Sequence, residues 1–273
     1  MQNVHLVVID PQMDFCTPDG TYGGIKTGAL YVPGADEDMK RLAKMVNRLA
    51  PKLADIHITL DSHHLMDVAH PLFWKDTKGR HPDPFTVITA ADVRNGVWTT
   101  SIPSFLPRML AYVEALESSA RYPLMIWPPH CLISTPGQSV VPELTEAVNA
   151  WAASRRAMID YVTKGSNIFT EHYSAVRAEV PDPSDPTTQL NTSFIKTVEE
   201  ADLVIWAGEA SSHCVANTMR DTFAAFGSDA IKKMVLLTDA ISAVPNCNKM
   251  YDDFFAEMTA KGMKTATTAD FLA

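Results

Sequence analysis

Cysteine is scarce in this chain, and long apolar runs are absent. The four cysteines, Cys16, Cys131, Cys214 and Cys247, show no Cys-x-x-Cys spacing. That argues against a disulfide scaffold and for a reduced, cytoplasmic protein with a reactive thiol. No stretch approaches the roughly 20 apolar residues that a membrane span needs. The first residues lack a basic segment, and their apolar run is too short for a secretory signal. Positive charge is also in short supply. The 23 Lys and Arg against 32 Asp and Glu leave a net charge of −9, so neither a nucleic acid nor an anionic membrane is expected as a partner. There is no internal repeat, no flexible linker and no break in composition. The 273 residues are therefore expected to form a single domain, 1–273.

What is present is an alternation. Apolar, β-prone runs near 4–9, 55–60, 124–127, 158–163, 202–207 and 233–238 are separated by amphipathic stretches. The helical patterns fall near 36–50, 104–119, 140–154, 190–200, 214–226 and 249–261. This order predicts an α/β fold with three layers, a doubly wound and mostly parallel six-stranded sheet between helices. The clearest loop is Pro181–Pro186, where three prolines in six residues exclude a regular helix.

Several of these runs end on residues that carry chemistry. Leu6-Val7-Val8-Ile9 ends on Asp10, and the run from Met158 ends on Lys164-Gly165. Leu203–Ala207 runs into a small-residue turn, after which Cys214 opens a helix. A helix start stabilises negative charge, so a thiol there is expected to ionise more easily than usual. In open α/β sheets, ligands bind beyond the carboxyl ends of the strands. If these strands are neighbours, their ends bring together a proton acceptor, a cation and a nucleophile. Taken singly, each has an ordinary reading: a turn former, a solvated lysine, a space-filling cysteine.

A fourth run, Ile56–Leu60, closes on Asp61-Ser62-His63. With His130, in Trp127-Pro128-Pro129-His130-Cys131, it offers one carboxylate and two imidazoles. That set suits a catalytic zinc, manganese or iron ion with positions left for water. Residues i and i+2 of a strand point the same way, so the spacing works if the chain stays extended through Ser62. His64 and His81 read as exposed loop residues. His213 reads as a bystander, because adjacent helical side chains do not face each other. Cys131 is expected to point away from the metal ligands if its segment is extended.

Together these segments resemble the nicotinamidase branch of the isochorismatase-like cysteine hydrolases. The resemblance rests on Asp10–Phe15, Asp61–His63, Trp127–Cys131 with Thr135–Gly137, Lys164-Gly165 with Tyr173–Ala175, and Gly208–Val215, in the family's order. It implies a catalytic triad of Asp10, Lys164 and Cys214, and an oxyanion hole from the N–H groups of Ala210 and Cys214. It implies one divalent transition metal, zinc first and manganese or iron as alternatives, held by Asp61, His63 and His130. It also implies an aromatic substrate slot made by Phe15, Trp127 and Tyr173, and a non-proline cis peptide before Ala210. The activity implied is nicotinamide hydrolysis to nicotinate and ammonia, within NAD metabolism. The runners-up are another carbamoyl or ureido amidase and a catalytically silent metal-binding scaffold. The chain departs from the family after His63, where the usual proline and further histidine are replaced, leaving Asp67, His70 or neither as a further ligand. The stretches near 72–123 and 179–192 are longer than usual. They read as insertions that reshape the pocket mouth or form contacts within a homo-oligomer.

Overall fold

A computed structural model describes residues 2–18, 20–119, 121–226 and 230–272. Six strands form the central sheet: β1 Val4–Ile9, β2 Leu53–Asp61, β3 Asp160–Lys164, β4 Leu203–Gly208, β5 Met234–Leu237 and β6 Lys264–Ala266. Their order is β6-β5-β4-β1-β2-β3, and every pairing is parallel. The inner strands are apolar along their whole length because both faces are covered. All six residues of β1 are buried, as are the last five of β4.

The connections are helical: α1 Ala35–Leu49, α2 Leu106–Ser119, α3 Pro142–Arg155, α4 Thr192–Glu200, α5 Cys214–Phe226 and α6 Asn248–Ala260. From β1 the chain moves outward to β2 and then β3, crosses back to β4, and moves outward the other way to β5 and β6. Right-handed crossovers put the helices of the two directions on opposite faces, giving three layers. The packing agrees: α1 lies against α3, while α4 and α6 both touch α5. The direction reverses between β1 and β4, and a crevice opens at their carboxyl ends.

Two readings of the sequence need correction. The run near 124–127 is not part of the central sheet. Only Leu124 and Met125 pair, antiparallel to Val87 and Ile88, because Pro123, Pro128 and Pro129 interrupt any longer ladder. The sixth central strand is instead Lys264–Ala266, whose polar composition hides it. It lies at the sheet edge, paired only with β5.

Between His63 and His130 the chain leaves the sheet and builds a second, smaller apolar cluster. Phe73, Trp74, Ile88, Met109, Val113 and Ile126 are its centre, and all are fully buried. The excursion starts and ends at one place. His63 N–H donates to Cys131 O at 3.1 Å, and Ile133 N–H donates to His63 O at 3.0 Å.

Candidate active site

The residues at the strand ends meet at the crevice. Asp10 follows β1, Asp61 ends β2, Lys164 ends β3 and Cys214 begins α5 just beyond β4. Asp61 and Lys164 are direct partners in the β2–β3 register. From there Lys164 Nζ reaches Asp61 Oδ1 at 3.1 Å, Asp10 Oδ2 at 2.8 Å and Cys214 Sγ at 3.5 Å. Thr59 holds Asp10 from the side, its hydroxyl donating to Oδ1 at 2.5 Å and accepting from the Asp10 N–H at 2.9 Å. Two glycines allow the close approach. At Gly208 (φ +106°) a Cβ would lie 2.1 Å from Ile9 O, and at Gly165 (φ +84°) it would lie 2.6 Å from Asp61 Oδ1.

Burial sets the charges. It works against the Lys164 ammonium, but Asp10, Asp61 and Cys214 outweigh it and hold its pKa well above the ordinary value. Burial raises the Asp10 pKa, and Lys164 offsets this only partly. Burial also pushes the Cys214 thiol well up, against the pull of Lys164. The expectation of an easily ionised thiol is thus corrected for the resting site. Desolvation outweighs the pull of Lys164, and so favours the thiol in the resting site.

Beside this trio stand Asp61, His63 and His130, whose ligand atoms all lie within 4.8 Å of one another. The chain does stay extended past Ser62, since His63 forms a parallel bridge to Leu132. His130 Nδ1 is 2.9 Å from Pro128 O and must donate there, which leaves a lone pair on Nε2. That lone pair lies 3.5 Å from Asp61 Oδ2. His63 lies between two carboxylates, Nδ1 3.1 Å from Asp67 Oδ2 and Nε2 3.0 Å from Asp61 Oδ2, which against burial hold its pKa well above the ordinary value, so a metal would take the place of the Nε2 proton. Acceptors that converge need a cation among them, and a carboxylate behind a histidine is a common way to orient a metal-binding ring. The three residues therefore fit a divalent transition ion.

Of the two further candidates, Asp67 is already engaged. Its oxygens accept from His63 Nδ1 and from the Ala69 N–H. His70 donates Nδ1–H to His64 O at 3.1 Å, and its buried Nε2 has no partner. Its ring centre lies 5.1 Å from that of His63 and 5.5 Å from that of His130. His64 and His81 are exposed, as expected. Cys131 has φ +46°, so its segment is not extended there. Its thiol nevertheless turns away, toward Gly137 O at 3.9 Å.

Phe15, Trp127 and Tyr173 line one cavity with Asp61, His130 and Cys214, and Ala210 lies in the same wall. Trp127 Nε1 donates to the Tyr173 hydroxyl at 3.2 Å. The free volume is about 30 Å³, room for a water or two, so a substrate ring enters only as side chains move aside. The Glu209–Ala210 peptide is cis. Glu209 is fully buried, and its Oε2 accepts from the Ser242 N–H at 2.9 Å. Cys214 N–H lies in the first turn of α5, where no intrahelical acceptor exists.

Three further residues touch the site in ways that the sequence does not announce. Glu171 lines the cavity with Asp61 and His130, its Oε2 unpartnered and its pKa raised by burial to about 7. Gln12 clamps Asp61 by its backbone, accepting from its N–H at 2.7 Å and donating to its C=O at 2.7 Å. His213 lines the cavity wall, its ring stacked on Tyr122 with centres 5.1 Å apart. Burial lowers its pKa to about 4. No local pattern announces Glu171, and Gln12 lies within the Asp10–Phe15 segment without its contact to Asp61 being visible there. His213 was masked by its neighbour.

No family model matches the chain, and no curated protein does. Solved structures do. The yeast nicotinamidase superposes with a TM-score of 0.63 at 18% identity, over 96% of this chain and 99% of that one. The Acinetobacter baumanii nicotinamidase/pyrazinamidase gives 0.60 at 20% identity, over 99% of each. This is the nicotinamidase–isochorismatase fold. A zinc complex of the Pyrococcus horikoshii pyrazinamidase shares it, with a TM-score of 0.56 at 18% identity over 97% and 99% of the two chains. An isochorismatase-family protein from Desulfovibrio vulgaris matches as well, with a TM-score of 0.53.

Proposed function

We propose that this chain is a metal-dependent cysteine amidohydrolase acting on a small planar carboxamide, with nicotinamide the first candidate. One observation carries the reading. Lys164 Nζ bridges Asp10 and Cys214 at 2.8 and 3.5 Å, in the crevice where the sheet reverses and beside a metal-fitting triad. The nicotinamidases of the same fold support the choice of substrate.

Asp10, made more basic by its burial, takes the Sγ proton as sulfur attacks the amide carbon. The C–S bond forms and the carbonyl pair moves to oxygen, toward the N–H groups of Ala210 and Cys214. Asp10 then returns the proton to nitrogen as the C–N bond breaks, because an amide anion is too poor a leaving group to depart unprotonated. After ammonia leaves, Asp10 takes a proton from water, which attacks the thioester and releases the acid and the thiol. Lys164 stays charged throughout and balances the negative charge that passes between Asp10 and sulfur. Phe15, Trp127 and Tyr173 sandwich the ring. Asp61, His63 and His130 would hold the metal, and the ion would supply Lewis-acid polarisation of a ring nitrogen or a water.

Ammonia release from nicotinamide, with and without a chelator, tests this directly. Turnover that the chelator removes and zinc or manganese restores is expected. No release from nicotinamide, with release from a ureido compound instead, would reassign the substrate. No release from any amide would sink the enzyme reading.

A further inference from the structure

The opposite ends of the same strands carry a second cluster. His5 lies at the start of β1, Asp55 and His57 near the start of β2, and Asp160 opens β3. Because the strands are parallel, all four sit at the amino edge of the sheet. At roughly 3.3 Å per residue, His57 is about 20 Å from His63.

The hydrogen bonds fix the protons. His57 Nδ1 is 2.9 Å from Asp160 Oδ2, a carboxylate oxygen that accepts, so Nδ1 carries the hydrogen. Asn3 Nδ2 donates to Glu200 O at 3.0 Å, which identifies Asn3 Oδ1 as an acceptor. His5 Nε2, 3.3 Å from that oxygen, therefore carries its hydrogen too. The remaining nitrogens, His57 Nε2 and His5 Nδ1, both present lone pairs, and they face each other at 3.0 Å. Two buried lone pairs at that distance repel unless an electrophile joins them. His57 is fully buried and His5 is 5% exposed.

A proton on His57, shared across the 3.0 Å gap with His5, is one such electrophile. A metal is the other. Asp55 Oδ2 stands 4.0 Å from His57 Nε2, and the three ligand atoms lie within 4.8 Å of one another. Two nitrogens bound tetrahedrally to one zinc at about 2.0–2.1 Å stand about 3.3 Å apart, a small opening of the present pair. Asp160 behind His57 repeats the carboxylate–histidine arrangement that orients metal-binding rings. A cleft of about 470 Å³, lined by Asp55, His57 and Asp160, gives water a way to the remaining position.

We propose that His5, Asp55 and His57 form a second site for a divalent transition ion of the zinc type, oriented by Asn3 and Asp160. Two imidazoles and one carboxylate favour zinc over magnesium or calcium, which prefer oxygen. The ion ties β1 to β2 directly, and to β3 through Asp160, at the edge remote from the catalytic crevice. The site is independent of the function proposed above.

The test is a zinc titration by calorimetry on the chelator-stripped full chain carrying His63→Ala and His130→Ala, which lacks the imidazoles of the other cluster. One saturating equivalent is expected. Adding His5→Gln should weaken it at least about 100-fold, and Asp55→Asn, at a partly exposed position, about 10-fold. Circular dichroism of each variant separates loss of the site from loss of fold. In the parent chain the corresponding counts are two equivalents, falling to one with His5→Gln. No bound equivalent in the His63→Ala/His130→Ala chain would overturn the site and leave a shared proton between the rings. So would an equivalent that His5→Gln and Asp55→Asn leave unchanged.

Discussion

Cys214 opens a helix beside a lysine, two features that pull a thiol toward thiolate, yet desolvation pulls harder the other way. The proton therefore leaves during attack, and Asp10, itself made more basic by burial, is placed to receive it. Cys214→Ala should lower ammonia release by at least about 10³-fold while dichroism and metal content stay as in the parent. Near-normal turnover would rule out the covalent route. Gln12 acts one step removed, by holding the Asp61 backbone through two bonds of 2.7 Å. In Gln12→Ala that carboxylate loses its orientation, and metal affinity should fall about 10–100-fold in equilibrium dialysis. An unchanged affinity would show that the strand alone positions Asp61. At this scale the sequence was legible where a residue ended a β-prone run, as Asp10 and Lys164 do, or opened the helix that follows one, as Cys214 does. It was silent for Gln12 and Glu171, whose roles arise only from contacts across the fold.

Elements were legible in proportion to their burial. β1 and β4 are continuous apolar runs because both faces are covered, and the sequence marks them clearly. The edge strand Lys264–Ala266 has no such pressure and leaves no apolar trace. Leu124–Trp127 is apolar because Leu124 and Ile126 serve the smaller cluster. The join between β1 and β4 depends on Gly208, where any Cβ would strike Ile9 O. Gly208→Ala should cost about 4 kcal/mol or more, seen as a lowered denaturant midpoint or as failure to fold. A midpoint equal to the parent's would show that the two strands can move apart.

In the segment after β3, Glu179 is held close to Arg121, yet burial raises its pKa to about 7. The folded chain binds this proton more tightly than the unfolded one, for which a glutamate titrates near 4.3. The stability this gives is complete below that value and is lost as pH rises toward 7. Glu179→Gln should remove that part of the slope, so its melting temperature gains on the parent's between pH 5 and 7.5. Parallel melting curves across that range would mean that Arg121 fully compensates the carboxylate.

At the scale of the molecule, the reversal of winding places the crevice, and the apolar interior is divided into two clusters. The central sheet sits in the larger cluster, whereas Phe73, Trp74, Ile88 and Met109 pack in the smaller one. Amides of residues 70–126 should exchange hydrogen faster than those of β1 and β4, and Trp74→Ala should widen the gap. Uniform protection would show that the two cores unfold as one. The ends of this excursion are already joined at its base, where His63 meets Cys131 and Ile133. A loop sewn shut at its base can change length at little thermodynamic cost, about 0.6 kcal/mol per doubling. Closure at the base thus lets the outer turns of the excursion vary in length while the strand ends beneath it keep their positions.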